Sequence, residues 1–148
     1  MGKKKPRIPN PKSAVGGRIP TVNSEPAHSG STNHLPPAFS FYHFDNSAEC
    51  ISDWSQDETR ALFAAMKQAS SMCWQRISST GGQGRAAQGL AYKQIPLHRC
   101  KRPLPASLGE DIDEIAEMRV SKAARFFGIR HEATFYVVWL DRSHTVVP

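Results

Sequence analysis

Four basic residues near the end of the chain, Arg119, Arg125, Arg142 and His144, are spaced so that one site could use them together. They lie in the stretch EMRVSKAARFFGIRHEATFYVVWLDRSHTVVP, residues 117–148, where short apolar runs alternate with polar turns. Such a set fits metal-independent cleavage of RNA through its 2′-hydroxyl. That reaction needs a base near the hydroxyl, cations around the phosphorane charge and an acid for the leaving 5′-oxygen. Arginine suits the charge role, because it stays protonated and its fork matches phosphate oxygens. Histidine can move the proton. A plainer role competes: cations at strand ends commonly protect sheet edges, and Asp141 can pair with Arg142 at the surface.

A second basic set lies upstream. Residues 76–109 hold Arg76, Arg85, Lys93, Arg99, Lys101 and Arg102 and no acidic residue. Arg85, Lys93, Arg99, Lys101 and Arg102 are the candidate RNA contacts. Gly81-Gly82-Gln83-Gly84 reads as a helix stop, since no strand feeds it and no GK[ST] follows. Cys50, Cys73 and Cys100 are widely spaced and form no C-x-x-C pair, so neither a disulfide framework nor a metal knuckle is expected. His43, His98, His131 and His144 show no metal-ligand spacing either. The reading is a cytoplasmic protein without metal or other cofactor.

The elements that must position these residues follow from pattern. A length of 148 residues suits one domain. Residues 1–37 hold seven of the eleven prolines, and six Lys or Arg against Glu25. This reads as a disordered basic Pro-rich tail, without the apolar run of a secretory signal. Nothing in the chain reaches membrane-spanning length. The remaining 38–148 reads as a small α+β domain.

Phe39–Phe44 predicts a first strand. Ser55 and Glu58 predict a capping box. It opens a helix whose apolar stripe is Leu62, Met66, Ala69, Cys73 and Ile77, widened by Phe63 and Trp74, with a possible break at Ser70-Ser71. Leu90 to Leu97 alternate weakly among prolines, which predicts a long basic loop with at most a short edge strand. Ser107–Glu110 can cap a short turn. A meander follows. Ala116, Met118 and Val120 face the core, Glu117 and Arg119 face outward, and strands run over 125–131 and 134–141. The last is apolar on both faces and reads as the central strand. The expected architecture is an antiparallel sheet with an N-terminal strand, helices on one face and a C-terminal β-meander.

This order of elements resembles the RelE/ParE-like toxin superfamily. The local likeness lies in Met118-Arg119-Val120 through Arg125-Phe126-Phe127-Gly128-Ile129, then Tyr136–Leu140, then Asp141-Arg142-Ser143-His144. The ending also resembles a C-terminal FYxVWLDxxH motif of small bacterial proteins of unassigned function. The superfamily resemblance implies the toxin of a bacterial toxin–antitoxin system, acting as a messenger-RNA endonuclease. Arg119, Arg125 and Arg142 would stabilise the phosphorane, and His144 would shuttle a proton. RNA or the ribosome, and an antitoxin protein, would be its partners. The alternative is a non-enzymatic binding module or a protein-directed toxin, acting on nucleic acid, gyrase or another protein.

Overall fold

Ser55 Oγ accepts the backbone N–H of Glu58 at 3.2 Å, and the Glu58 carboxylate accepts the N–H of Ser55 at 2.7 Å. This reciprocal pair starts helix α1 (Gln56–Ser70), as the sequence predicts. The contacts come from a computed structural model that describes residues 30–81 and 89–148. Most of the expected tail, with Gly82, Gln83, Gly84 and Arg85, lies outside the described residues.

Leu62, Ala65, Met66 and Ala69 form the buried stripe of α1. The break at the serines is real: Ser71 Oγ donates to the Gln68 carbonyl at 2.6 Å, and Ser71 N–H turns back to Lys67 and Gln68. A second helix, α2 (Trp74–Ser79), follows with Cys73 as its N-cap. Phe63, expected to widen the stripe, is 60% exposed, because it sits one residue round the helix from Leu62. Trp74 is fully buried, and its indole N–H donates to the Ala133 carbonyl at 3.0 Å. The N–H groups of Trp74 and Gln75 donate to the carbonyls of Leu35 and Asn33. The chain just ahead of Ala38 is therefore bonded to the start of α2.

Five strands form one sheet: β1 (Ala38–Ser40), β2 (Lys93–Pro96), β3 (Glu114–Arg119), β4 (Arg125–His131) and β5 (Thr134–Asp141). Their order is β1-β5-β4-β3-β2. The fold is α+β, as expected, but the sheet is mixed: β1 runs parallel to β5, and the other pairs are antiparallel. β1 is also shorter than expected. After Ser40 its hydroxyl accepts the Tyr42 N–H at 3.3 Å, and Phe44 N–H turns back to the Phe41 carbonyl. A turn thus replaces the second half of the strand. β5 has a neighbour on each side, while β4 holds the middle position.

The sheet is covered on both faces. Ala116, Met118, Phe126, Phe135, Val137 and Leu140 pack with the helices. Ile115, Phe127, Val138 and Trp139 pack on the other side with Ile95, Leu108, Val146 and Val147. The pairing shifts by one residue between Phe127 and Gly128, so Phe127 pairs with Trp139 and Gly128 with Val137. Val138 is the extra residue. This bulge lets Val138 and Trp139 both serve the second face, which explains the unbroken apolar run in β5. Among the described residues, no helix is long and apolar enough to cross a membrane.

Candidate functional site

Strand register brings the predicted residues to one end of the sheet. Arg119 pairs with Arg125 across β3 and β4, and Arg125 pairs with Asp141 across β4 and β5. Arg142 and His144 follow directly. The backbone is aligned as the meander requires, but the side chains are not gathered.

Arg125 is only 8% exposed. Its guanidinium donates to the carbonyls of Ser121 at 2.7 Å and Ala124 at 2.9 Å, with longer bonds to Lys122. It holds the β3–β4 turn. Its Nε also lies 3.4 Å from Glu117 Oε1, which Lys93 Nζ approaches to 3.2 Å. Glu117, expected to face outward, is buried. The second face of β3 is covered by the segment between β2 and β3, so the side opposite Met118 is also interior. Glu117 Oε2 has no hydrogen-bond partner among the described residues.

Asp141 does not pair with Arg142. It is fully buried. Its Oδ1 accepts the N–H of Thr145 at 2.8 Å and its Oδ2 the N–H of Val146 at 2.9 Å. It thereby folds the C-terminal segment onto the sheet, where Val146 and Val147 join the core. Arg142 turns instead to Glu58, with Nε 2.8 Å from both carboxylate oxygens. The Glu58 carboxylate raises the pKa of Arg142, and the arginine holds Glu58 below the usual carboxylate range.

A second knot ties the same end. Arg102 donates to the Leu140 carbonyl at 2.9 Å and lies 3.5 Å from Glu49 Oε2. Glu49 also accepts the Ser143 hydroxyl and the Arg142 N–H. Burial alone would raise the pKa of Glu49, but these hydrogen bonds and the Arg102 charge outweigh it and hold the carboxyl low.

Arg119 and His144 are the two members of the predicted catalytic set that form no ion pair with another described residue. Arg119 is half-buried, and its N–H donates to the Leu90 carbonyl at 2.7 Å. His144 is exposed and adopts a left-handed backbone, with φ of 60°. Within the predicted RNA-contact set, Lys93 is partly drawn to Glu117 and Arg102 is a clamp. Arg99 and Lys101 are exposed and form no ion pair with another described residue. Arg85 lies outside the described residues.

Lys101 and Arg102 line a cleft of 720 Å³ together with Leu97, Cys100, Leu104 and Ile112. Burial, and then the negative charge of Glu117, raise the pKa of Cys100. The thiol is therefore protonated near neutral pH and a poor nucleophile. Among the described residues, no group of three or more His, Cys, Asp or Glu side chains could hold a metal ion. One polar pair escaped sequence reasoning altogether: His43 Nδ1 lies 2.9 Å from Ser107 Oγ, across 64 residues of chain. Neither residue carries a local motif that would have linked them. No protein-family model, curated protein or solved structure matches the chain.

Proposed function

We propose that this domain binds RNA, gripping the phosphate backbone through the acid-free segment that starts at β2 and runs toward β3. The observation that carries this reading is the contrast among its cations. Arg102, Arg125 and Arg142 each face a carboxylate of the domain itself. Arg99 and Lys101 stand exposed and form no ion pair with another described residue. A cation held by a protein carboxylate gains little by meeting a phosphate. An unpaired one releases the phosphate's counter-ion and contributes to affinity. The resemblance to RelE/ParE-like toxins supports RNA as the nucleic acid, and makes ribosome-bound messenger RNA the first target to examine.

Cleavage is the stronger form of the same reading. What favours it is that Arg119 and His144, at one sheet end, form no ion pair with another described residue, and that His144 holds a sparsely populated backbone region of the kind that clusters at functional sites. In this form Arg119 would stabilise the phosphorane and His144 would move the proton. Arg125 would act at a distance, by shaping the β3–β4 turn that follows Arg119.

One experiment separates these forms. Single-stranded RNA is titrated with the protein at several salt concentrations, with and without ribosomes, and the RNA ends are then analysed. Binding that weakens with salt is expected, with a slope that falls by about 0.7 for each of Arg99 and Lys101 replaced by alanine. Binding indifferent to salt and to both substitutions overturns the reading. 2′,3′-cyclic phosphate ends that disappear with His144→Ala would establish cleavage. Intact RNA under both conditions would leave a binding protein.

A further inference from the structure

Phe41 and Tyr42 are consecutive and stand 50% and 74% exposed, whereas most of the domain's aromatic side chains are buried or partly buried. The turn that carries them is well tied. Tyr42 N–H donates to Ser40 Oγ, Phe44 N–H to the Phe41 carbonyl, and Asp45 N–H to the Val138 carbonyl at 2.9 Å.

Each exposed ring also rests on a less exposed one. The Tyr42 ring meets His43 edge-on, with centroids 4.8 Å apart, and Phe41 meets Phe44 in the same way at 5.7 Å. His43 is only 4% exposed. It is fixed by Ser107 Oγ at 2.9 Å and by the Tyr136 ring at 5.4 Å. Two aromatic rings are thus held in place by one neighbour each while much of their apolar surface stays in water, which costs free energy.

Their position relates them to the cations. Ser107, which braces His43, directly follows Ala106, and Ala106 lines the cleft that Lys101 and Arg102 also line. An aromatic surface therefore adjoins a cleft that presents the exposed Lys101, beside Arg102, which Glu49 already holds, and Glu110. Single-stranded nucleic acid fits that combination: its phosphates track cations while its bases stack on aromatic faces, without regard to sequence. A duplex does not fit, because its base faces are already stacked.

We infer that Tyr42, with Phe41 beside it, is the base-stacking platform of the RNA site, and that the ligand is single-stranded. This rests on the RNA-binding reading. The probes are a short uridine oligonucleotide, the same strand carrying 2-aminopurine, and a matched RNA duplex, each titrated against the full chain. Tyr42→Ala should weaken single-strand binding about tenfold and leave the salt slope unchanged. Tyr42→Trp should retain binding. The 2-aminopurine fluorescence should be quenched by the unmodified protein and not by Tyr42→Ala. Replacing Arg99 and Lys101 should do the reverse, lowering the salt slope while quenching survives at low salt. Single-strand affinity unchanged in Tyr42→Ala, or a duplex bound as tightly as the single strand, overturns the platform while RNA binding stands. No salt-dependent binding of either RNA overturns both, and would leave the exposed rings to a protein partner.

Discussion

Arg142, at the end of β5, and Glu58, in the first turn of α1, form a contact of 2.8 Å that ties the sheet end to the helix start. The same carboxylate caps the N–H of Ser55. Glu58→Ala removes both interactions, whereas Arg142→Ala leaves the cap intact. The melting temperature should therefore fall further in Glu58→Ala than in Arg142→Ala. Ser55→Ala, which removes the other half of the capping box, should cost about 1 kcal/mol. Equal melting temperatures for the Glu58 and Arg142 variants would mean that the cap adds nothing. Glu58→Ala also frees Arg142, so its affinity for RNA should rise at low salt.

Arg125 and Arg119 are partners in register and should differ sharply on substitution. Arg125→Ala strands the turn carbonyls and leaves the buried Glu117 with Lys93 alone. Breaking a buried pair in this way costs about 3 kcal/mol. Arg125→Lys should restore only part of that, since an ammonium cannot span several carbonyls as the guanidinium does. Arg119→Ala should stay within about 0.5 kcal/mol of the unmodified protein. Urea denaturation reads all three. An Arg125→Ala protein of full stability would show that this guanidinium is not structural.

Gly128 sits at the bulge between β4 and β5. A Cβ there would lie 2.3 Å from the Tyr136 carbonyl oxygen and 2.4 Å from the Phe135 ring. Neither neighbour can give way, because one is strand backbone and the other a fully buried ring. Gly128→Ala should destabilise by about 3 kcal/mol or more, seen as a large fall in melting temperature. A near-neutral result would mean that β5 can shift its register at this point.

What the sequence made legible was local. The Ser55–Glu58 box, the serine break and the spans of β4 and β5 each follow from a few adjacent residues. Apart from the short turn that ends β1 and the exposed Phe63, the failures were tertiary. Alternation placed Glu117 opposite Met118, but not under the segment that covers it. Asp141 and Arg142 are neighbours in sequence, yet they point to different partners, because Asp141 is needed to fold back Thr145 and Val146. Arg102 reads as one more surface cation until Glu49 and the Leu140 carbonyl are brought beside it. The parallel pairing of β1 with β5 depends on where the chain returns after two helices, which no short pattern encodes.

His43 offers a test of packing through pH. Burial lowers its pKa, so the folded state favours the neutral imidazole. In the unfolded chain the group titrates near its ordinary value of about 6.5. The folded value is the lower of the two, so folding binds fewer protons. The contribution of His43 is then complete above about pH 6.5 and is lost as the pH falls toward the folded value. Tyr42, Tyr136 and Ser107 surround the ring, and no carboxylate is among these neighbours. Glu49 and Glu58 are also held low, but their losses come in the carboxylate range, below about pH 4.5. Thermal melts should show a decline that begins as the pH falls through about 6.5 and that His43→Asn abolishes, and a second decline at lower pH that both proteins share. Superimposable profiles above the carboxylate range would mean that the imidazole is not linked to folding. Because His43 also braces Tyr42, RNA affinity in the unmodified protein should weaken over the same upper window, and more for the single strand than for the duplex.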